Sequence, residues 1–220
     1  MEARLELWAD GSRAGFAAPP PPALDRMLIG RPVDEALDLL PRLFNLCAAA
    51  QSAALRLALD APPGPGDPGA EVLRDHLALL ALRWPRALGL APLALPRGWA
   101  SDPAAVRRML LGGGDLPSAE GLDGWLQGGQ GVAPVMAAIE AGFVAGEAES
   151  RLPPVTAATV FGAAPVENSP AARQADHPLL RMVAARWGRG PLWQAMGRLV
   201  EALACLDGRL PPTQRPEPGL

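Results

Sequence analysis

Prolines and glycines divide this chain into short segments, and that division limits the folds it can adopt. The 220 residues include 26 prolines and 24 glycines, which interrupt helices and exclude most central strands. Between the breaks, apolar residues recur at helical spacing in an Ala- and Leu-rich background. This spacing predicts helices over residues 33–40, 42–60, 71–90, 106–111, 119–126, 133–148, 170–187 and 191–206.

A small amount of β-structure is expected beside these helices. Asp10-Gly11 is a strong hairpin signal, with strands on either side of it at the N-terminal end. Residues 155–161 are the best candidate for an internal strand. We therefore expect a mainly α protein, a helical bundle with a minor β element at the N-terminus, forming a single domain over residues 1–220. The proline-rich segment 211–220 is expected to be a loose tail.

Charge and hydropathy exclude several classes of protein. The net charge is −3 without a strong basic run, which argues against nucleic-acid binding. No stretch reaches the roughly 20 apolar residues that span a bilayer, and the first residues do not resemble a signal peptide. We expect a cytoplasmic protein without a membrane partner. The two cysteines, Cys47 and Cys205, are too few for a disulfide framework or a self-contained zinc site.

Cys47 lies in the segment with the most chemical information. On the predicted helix 42–60, Phe44, Cys47 and Gln51 stand at positions i, i+3 and i+7 and are expected to share one face. This face begins just after Pro41, near a helix N-terminus, whose partial positive charge favours a thiolate, the form that binds soft metals. The alternative is an ordinary buried cysteine in a packing helix.

The same segment resembles the first metal-binding motif of nickel–iron hydrogenase large subunits, Arg-x-Cys-x-x-Cys-x-x-x-His. With the motif arginine placed on Arg42, the first cysteine falls on Phe44, the second on Cys47 and the histidine on Gln51. The preceding residues 30–36 also fit the segment that leads into the motif.

A second segment carries the same resemblance. Residues 166–173, Val-Glu-Asn-Ser-Pro-Ala-Ala-Arg, are similar to a Val-Glu-x-Gly-Pro-Leu-Ala-Arg segment of that superfamily. The continuation through 176–179 and 199–201 is closer to accessory paralogues of the large subunit, the hydrogenase expression/formation proteins of the HupK type. The resemblance is strongest over residues 26–60 and 164–203, and it implies a fold like a reduced large subunit.

The departures from the enzyme pattern imply a different role. A catalytic large subunit uses four thiolates, and the Asp-Pro-Cys-x-x-Cys-x-x-His motif that supplies the second pair has no counterpart here; Cys205 matches it poorly. In the enzyme family the first cysteine of a pair binds nickel alone, and the second bridges nickel and iron. Phe44 stands at the nickel position and Cys47 at the bridging position, so the resemblance implies a non-enzymatic protein that handles only iron.

The implied cargo is an iron–cyanide–carbonyl fragment held transiently through Cys47. A bare zinc or iron ion needs about four protein ligands, whereas an iron that carries carbon monoxide and two cyanides brings most of its own ligands. The resemblance adds Gln51, Glu167, Arg173 and His177 as residues that contact the fragment or a partner. It implies hydrogenase maturation proteins, the large-subunit precursor, or both, as partners.

Several alternatives remain open from the sequence. The protein is either such a scaffold or a metal-free interaction module that mimics the large subunit to engage maturation chaperones. Glu167 and Arg173 are alternatively an ion pair with each other. His177 follows Asp176, which either orients its imidazole or caps a helix that starts at Pro178. His76, among leucines, is expected to be buried or at a helix flank.

Overall fold

The computed structural model describes residues 5–18, 23–44, 46–156, 158–160 and 162–210. Within these ranges the chain is mainly helical, with a two-stranded antiparallel sheet at its N-terminal end, as the sequence predicts. The strands are β1 (Glu6–Asp10) and β2 (Arg13–Ala17). The helices are α1 (Leu24–Leu28), α2 (Val33–Leu43), α3 (Ala48–Ala58), α4 (Pro68–Leu77), a π-helical segment (Ala78–Arg83), α5 (Trp84–Ala87), α6 (Pro103–Leu111), α7 (Leu122–Gln127), α8 (Ala133–Gly142), α9 (Pro170–Arg173), α10 (Pro178–Trp187) and α11 (Pro191–Leu206).

The prolines mark helix beginnings as much as helix ends. Helices α4, α6, α9, α10 and α11 each start at a proline, where its fixed φ suits the first turn and its missing N–H costs no helical hydrogen bond. Just before α4, α6 and α9, the side chains of Asp67, Asp102 and Ser169 accept hydrogen bonds from amides of the first turn. The residues that break the chain therefore also fix where its helices begin.

Helix α11 is the centre of the core. It packs against α4, α6, α8, α9 and α10, and its buried residues include Trp193, Met196 and Leu199. Its sequence is apolar on more than one face because it has neighbours on several sides. Gly197 makes one close approach possible, since a Cβ at that position would overlap the backbone of Ala171 in α9. The approach brings α9 against the middle of α11.

The N-terminal hairpin lies outside this core. Leu7 and Phe16 face each other across β1 and β2, yet their side chains are 75% and 71% exposed. Gly11 makes the turn with a φ of 56°, as the Asp-Gly signal predicts. Helix α2 connects to the core through α3, which contacts α4.

The predicted elements at 155–161 and 170–187 differ in the structure. The described residues of 155–161 form no strand; Pro154 makes an isolated bridge to Glu167 instead. The Thr159 hydroxyl accepts a hydrogen bond from the Thr156 amide, which favours a turn over an extended strand. The predicted helix 170–187 is divided into α9 and α10, because Pro178 disfavours helical geometry at the residue before it.

The tail predicted at 211–220 lies outside the described residues. Among the helices of the described ranges, none has both the length and the apolar character needed to cross a membrane.

Candidate functional site

Cys47 opens onto a cleft of about 510 Å³. The cleft lies between the start of α3, the exposed side of α4 with the π-helical segment, and the region where α9 meets α11. Of the predicted site residues, the structure brings Cys47 and Arg173 to its lining. His76 and Arg198 line it as well, and the sequence did not predict either as a site residue.

Cys47 lies at a break in the chain and not within a continuous helix. Helix α2 ends at Leu43, and Cys47 is the residue that precedes α3, with φ −134° and ψ 35°. The prediction that Phe44, Cys47 and Gln51 share one helix face is therefore wrong, because Phe44 lies outside α3.

The break is held by two side chains of α4. Arg74 donates a hydrogen bond to the carbonyl of Leu46, and Glu71 accepts hydrogen bonds from the amides of Ala49 and Ala50 at 2.8 and 3.0 Å. A helix start leaves its first amides without partners, and Glu71 supplies those partners from another part of the chain. This tertiary cap explains why an Ala- and Leu-rich segment is interrupted.

The Glu71 cap changes the source of positive charge near Cys47. The sequence-based expectation assigned the positive end of the helix to the thiol, but the Glu71 carboxylate already bonds the amides that carry that partial charge. Positive charge reaches this part of the cleft from arginines instead. Arg74, Arg83, Arg173 and Arg198 all line it.

A buried carboxylate organises the inner wall of the cleft. Glu201 of α11 is 1% exposed, and His76 of α4 is 2% exposed. Arg173 donates to both Glu201 oxygens, from Nε and Nη2, at 2.8 Å each. His76 Nε2 lies 2.8 Å from Glu201 Oε2. Burial by itself raises the pKa of Glu201, but the hydrogen bonds from His76 and Arg173, with the positive charge of Arg173, outweigh burial and lower this pKa to about 2.

The partners of His76 decide its tautomer. Its Nδ1 lies 3.3 Å from Arg198 Nη1, and a guanidinium can only donate. Nδ1 must therefore accept, and Nε2 carries the hydrogen that is donated to Glu201. The expectation that His76 is buried is confirmed, and its ring links the buried carboxylate to an arginine of the cleft.

The π-helical segment sets the other side of the cleft. It follows directly on α4 and ends at Arg83, after which Trp84 begins α5. The guanidinium of Arg198 lies 5.9 Å from the centre of the Trp84 ring, within the range of a cation–π contact. π-helical turns are rare and are frequently found at functional sites, and this one ends where Arg83 lines the cleft and Trp84 contacts Arg198.

The arginines that line the cleft differ in how far neighbouring carboxylates neutralise their charge. Arg173 pairs with Glu201, and Arg198 lies 3.3 Å from the exposed carboxylate of Asp75. Arg74 bonds a carbonyl, and Arg83 has no side-chain partner within the described part of the chain. The cleft thus presents cationic groups whose charge the neighbouring side chains do not neutralise.

Glu167 lies away from the cleft lining and holds the segment before α9 to α11. Its carboxylate accepts hydrogen bonds from Ser169 Oγ at 2.7 Å, Gln194 Nε2 at 2.6 Å and Arg189 Nη2 at 3.0 Å. Burial opposes ionisation of Glu167, but hydrogen bonds from Ser150, Ser169 and Gln194 and the charge of Arg189 lower its pKa overall. The alternative of an ion pair between Glu167 and Arg173 is wrong, because each pairs with a different residue.

Gln51 and His177 also lie away from the cleft lining. Gln51 belongs to the first turns of α3, where its backbone N–H donates a hydrogen bond to the Cys47 carbonyl at 3.0 Å. His177 caps α10, with Nδ1 accepting from the Leu179 amide at 3.3 Å. The capping residue is thus His177 and not Asp176. Burial lowers the pKa of His177, and the nearby charges of Arg209 and Arg181 lower it further.

Cys205 lies in α11 and lines a different cavity. Burial raises the pKa of its thiol to about 12, and the negative charge of Glu201 contributes to this shift. A thiol of this kind is neutral at physiological pH and is a poor nucleophile and metal ligand.

Within the described residues, no three His, Cys, Asp or Glu side chains are grouped so that they could hold a metal ion. The cleft therefore does not fit a bare ion that takes all of its ligands from protein side chains.

The cleft residues that sequence reasoning missed carried weak signals. Glu201 is a single acid within the apolar run 199–205, and a charged residue in such a helix needs a buried partner. Glu71 and Arg74 are three positions apart on one helix, a spacing that is common on solvent-exposed helices and does not indicate what they contact.

A search of the curated proteins found a relative that is 46% identical to this chain, the "Hydrogenase expression/formation protein HupK" of Rhodobacter capsulatus. The alignment spans 220 residues and covers 98% of this chain and 72% of the relative. The chain belongs to the HupK family. The resemblance to HupK-type proteins, inferred from two segments of the sequence, is confirmed over 98% of this chain. No protein-family model and no solved structure matches this chain. Its likeness to the fold of a hydrogenase large subunit therefore stays a prediction.

Proposed function

We propose that this protein acts in hydrogenase formation as a non-enzymatic scaffold that transiently holds an iron–cyanide–carbonyl fragment through Cys47. The printed name of its HupK relative supports the general role in hydrogenase formation. The observation that carries the finer proposal is that Cys47 and an incompletely neutralised set of arginines line one cleft.

The chemistry of the fragment agrees with these residues. Its iron needs few protein ligands because carbon monoxide and two cyanides already occupy coordination positions, so a single thiolate is a sufficient anchor. Each cyanide nitrogen accepts hydrogen bonds, and an arginine side chain supplies as many as five N–H donors. A hold that depends on one coordination bond and peripheral hydrogen bonds suits a protein that passes its cargo on.

In this proposal the predicted site residues have different roles. Cys47 binds the iron, and Arg173 contributes to the wall around it. Gln51, Glu167 and His177 act indirectly, through α3, the segment before α9 and the start of α10. The partners would be hydrogenase maturation proteins, the large-subunit precursor, or both.

Infrared spectroscopy tests the proposal. The protein is produced anaerobically with the hydrogenase maturation proteins and purified, and bands are recorded in the cyanide and carbonyl region. We expect bands in the wild type, their loss in Cys47→Ala, and their retention in the matched control Cys205→Ala. The control removes the other cysteine, whose thiol is buried and has a raised pKa.

Two results would contradict the scaffold. Bands that persist in Cys47→Ala would mean that another group binds the iron. Bands that are absent from the wild type, while maturation partners still bind, would favour the metal-free interaction module.

A specific observation favours that module as the second candidate function. Leu7 and Phe16 of the hairpin form an exposed apolar pair, and exposed apolar surface often marks a protein contact. The double variant Leu7→Ser with Phe16→Ser should then reduce binding of the purified large-subunit precursor, measured by calorimetry. Unchanged binding would exclude the hairpin as the contact surface.

A further inference from the structure

Arg198 has hydrogen-bond donors to spare at the cleft. Its Nη1 lies 3.3 Å from both Asp75 Oδ2 and His76 Nδ1. Its Nε and Nη2 groups have no hydrogen-bond partner within the described residues. The side chain is 26% exposed, so these remaining donors belong to a partly desolvated cation on the lining of the cleft.

Two aromatic neighbours restrict the orientation of this guanidinium. Its carbon lies 5.9 Å from the centre of the Trp84 ring, and the buried ring of His76 presents an acceptor to its Nη1. A preorganised donor loses less conformational entropy when a ligand binds than a free arginine does.

Glu201 influences Arg198 through His76. Its carboxylate accepts a hydrogen bond from His76 Nε2, which leaves Nδ1 as the acceptor that Arg198 needs. It also holds Arg173, whose Nη1 donates to the carbonyl and side-chain oxygens of Asn168 at 2.9 Å each. A single buried carboxylate therefore connects two arginines of the cleft.

We propose that Arg198 is an anion-recognition residue of the Cys47 cleft and that Glu201 positions it through His76. The ligand class is a small anion with cyanide-type nitrogen acceptors. Its assignment to the cyanides of the iron fragment rests on the proposed function, whereas recognition of such an anion depends only on the arginines.

Positioning and simple electrostatics predict opposite effects at Glu201. If Glu201 contributes only its negative charge, its removal makes the cleft more positive and tightens anion binding. If Glu201 sets the acceptor that orients Arg198, its removal weakens anion binding although the cleft becomes more positive. The substitution Glu201→Leu, which removes both the charge and the acceptor for His76 at similar side-chain volume, separates these effects.

The probe is hexacyanoferrate(II), an anion with cyanide nitrogens on its surface, titrated into the full chain by calorimetry at fixed ionic strength. We expect Arg198→Gln to weaken binding at least tenfold, as expected for loss of a charge-assisted hydrogen bond. The matched control is Arg108→Gln, which removes an exposed arginine of α6 outside the cleft and should change the affinity less than twofold. Equal effects of the two variants would overturn the proposal.

Glu201→Leu should weaken binding of the probe at least threefold, and tighter or unchanged binding would overturn the positioning role. Circular dichroism establishes whether this variant folds. If it does not, His76→Phe replaces it, because phenylalanine keeps an aromatic ring and has no acceptor for Arg198. Unchanged affinity in His76→Phe would overturn the positioning role equally.

Cys47→Ala keeps this experiment independent of the scaffold. The iron of hexacyanoferrate(II) already has its full set of ligands and does not accept a thiolate, so we expect Cys47→Ala to bind the probe like the wild type. Loss of the probe in this variant would overturn the assignment of anion binding to the arginines. Failure of the infrared experiment alone would leave the anion site standing.

Discussion

Acid should destabilise this protein through Glu201 more than through any exposed carboxylate. The pKa of Glu201 is lowered from 4.5 to about 2 in the folded chain. Because the folded pKa is the lower one, the stabilisation is fully present above the unfolded value and is lost as the pH falls from about 4.5 to 2. A difference of this size corresponds to about 3 kcal/mol in total, of which about 2 kcal/mol is lost between pH 7 and pH 3.

Glu201→Gln isolates this contribution, because glutamine does not titrate. The free energy of unfolding is measured by urea denaturation from pH 7 to pH 3, with tryptophan fluorescence as the signal. The advantage of the wild type over the variant should shrink by about 2 kcal/mol across this range. The control Glu35→Gln removes an exposed acid that pairs with Arg31, and its difference from the wild type should change by less than about 1 kcal/mol, because solvent weakens an exposed ion pair.

A direct titration decides whether the reasoning is correct. The side-chain carboxyl carbon of Glu201 is followed by NMR in the folded wild type, which avoids any effect of substitution. A midpoint near 4.5 would refute the argument, since it would mean that His76 and Arg173 do not favour the charged form. A difference between wild type and Glu201→Gln that does not depend on pH would refute it independently.

Three further predictions concern stability and reactivity. Glu71→Ala should lower the free energy of unfolding by about 0.5–2 kcal/mol, because α3 loses its cap; an unchanged urea midpoint would argue against the cap. Gly197→Ala should cost about 1–3 kcal/mol by forcing α9 away from α11, whereas Gly124→Ala, where a Cβ meets nothing within 4 Å, should stabilise by about 0.5–1 kcal/mol. Because its thiol pKa is about 12, Cys205 should react slowly with maleimide at pH 8. Cys47→Ala should therefore remove most of the rapid labelling seen by mass spectrometry, and rapid labelling that survives in this variant would contradict the prediction.

Local signals in the sequence determined the elements with short-range causes. The Asp-Gly turn and its flanking strands form at the expected position. The predicted helix 191–206 is α11 with the same bounds, because a proline starts it and a long apolar pattern sustains it. These features depend on residues a few positions apart, and a single sequence contains all of that information.

The sequence did not contain the reason for the break before Cys47. Residues 42–60 have high helix propensity, yet Glu71 and Arg74 supply hydrogen bonds that make an interrupted chain favourable. Those partners lie more than twenty residues away. Tertiary contacts of this kind override propensity, because the amides of one helix start are satisfied by the side chain of another element.

What the sequence by itself determined is a mainly helical chain of the HupK type with Cys47 as the residue to examine. Only the tertiary structure decided what surrounds Cys47. Arg173 and Glu201 are 28 positions apart, and His76 and Glu201 are 125 apart, so no periodicity along the chain could have paired them. They meet because α4 and α9 pack against α11, and the desolvation of a buried carboxylate requires that its partners be found wherever packing brings them.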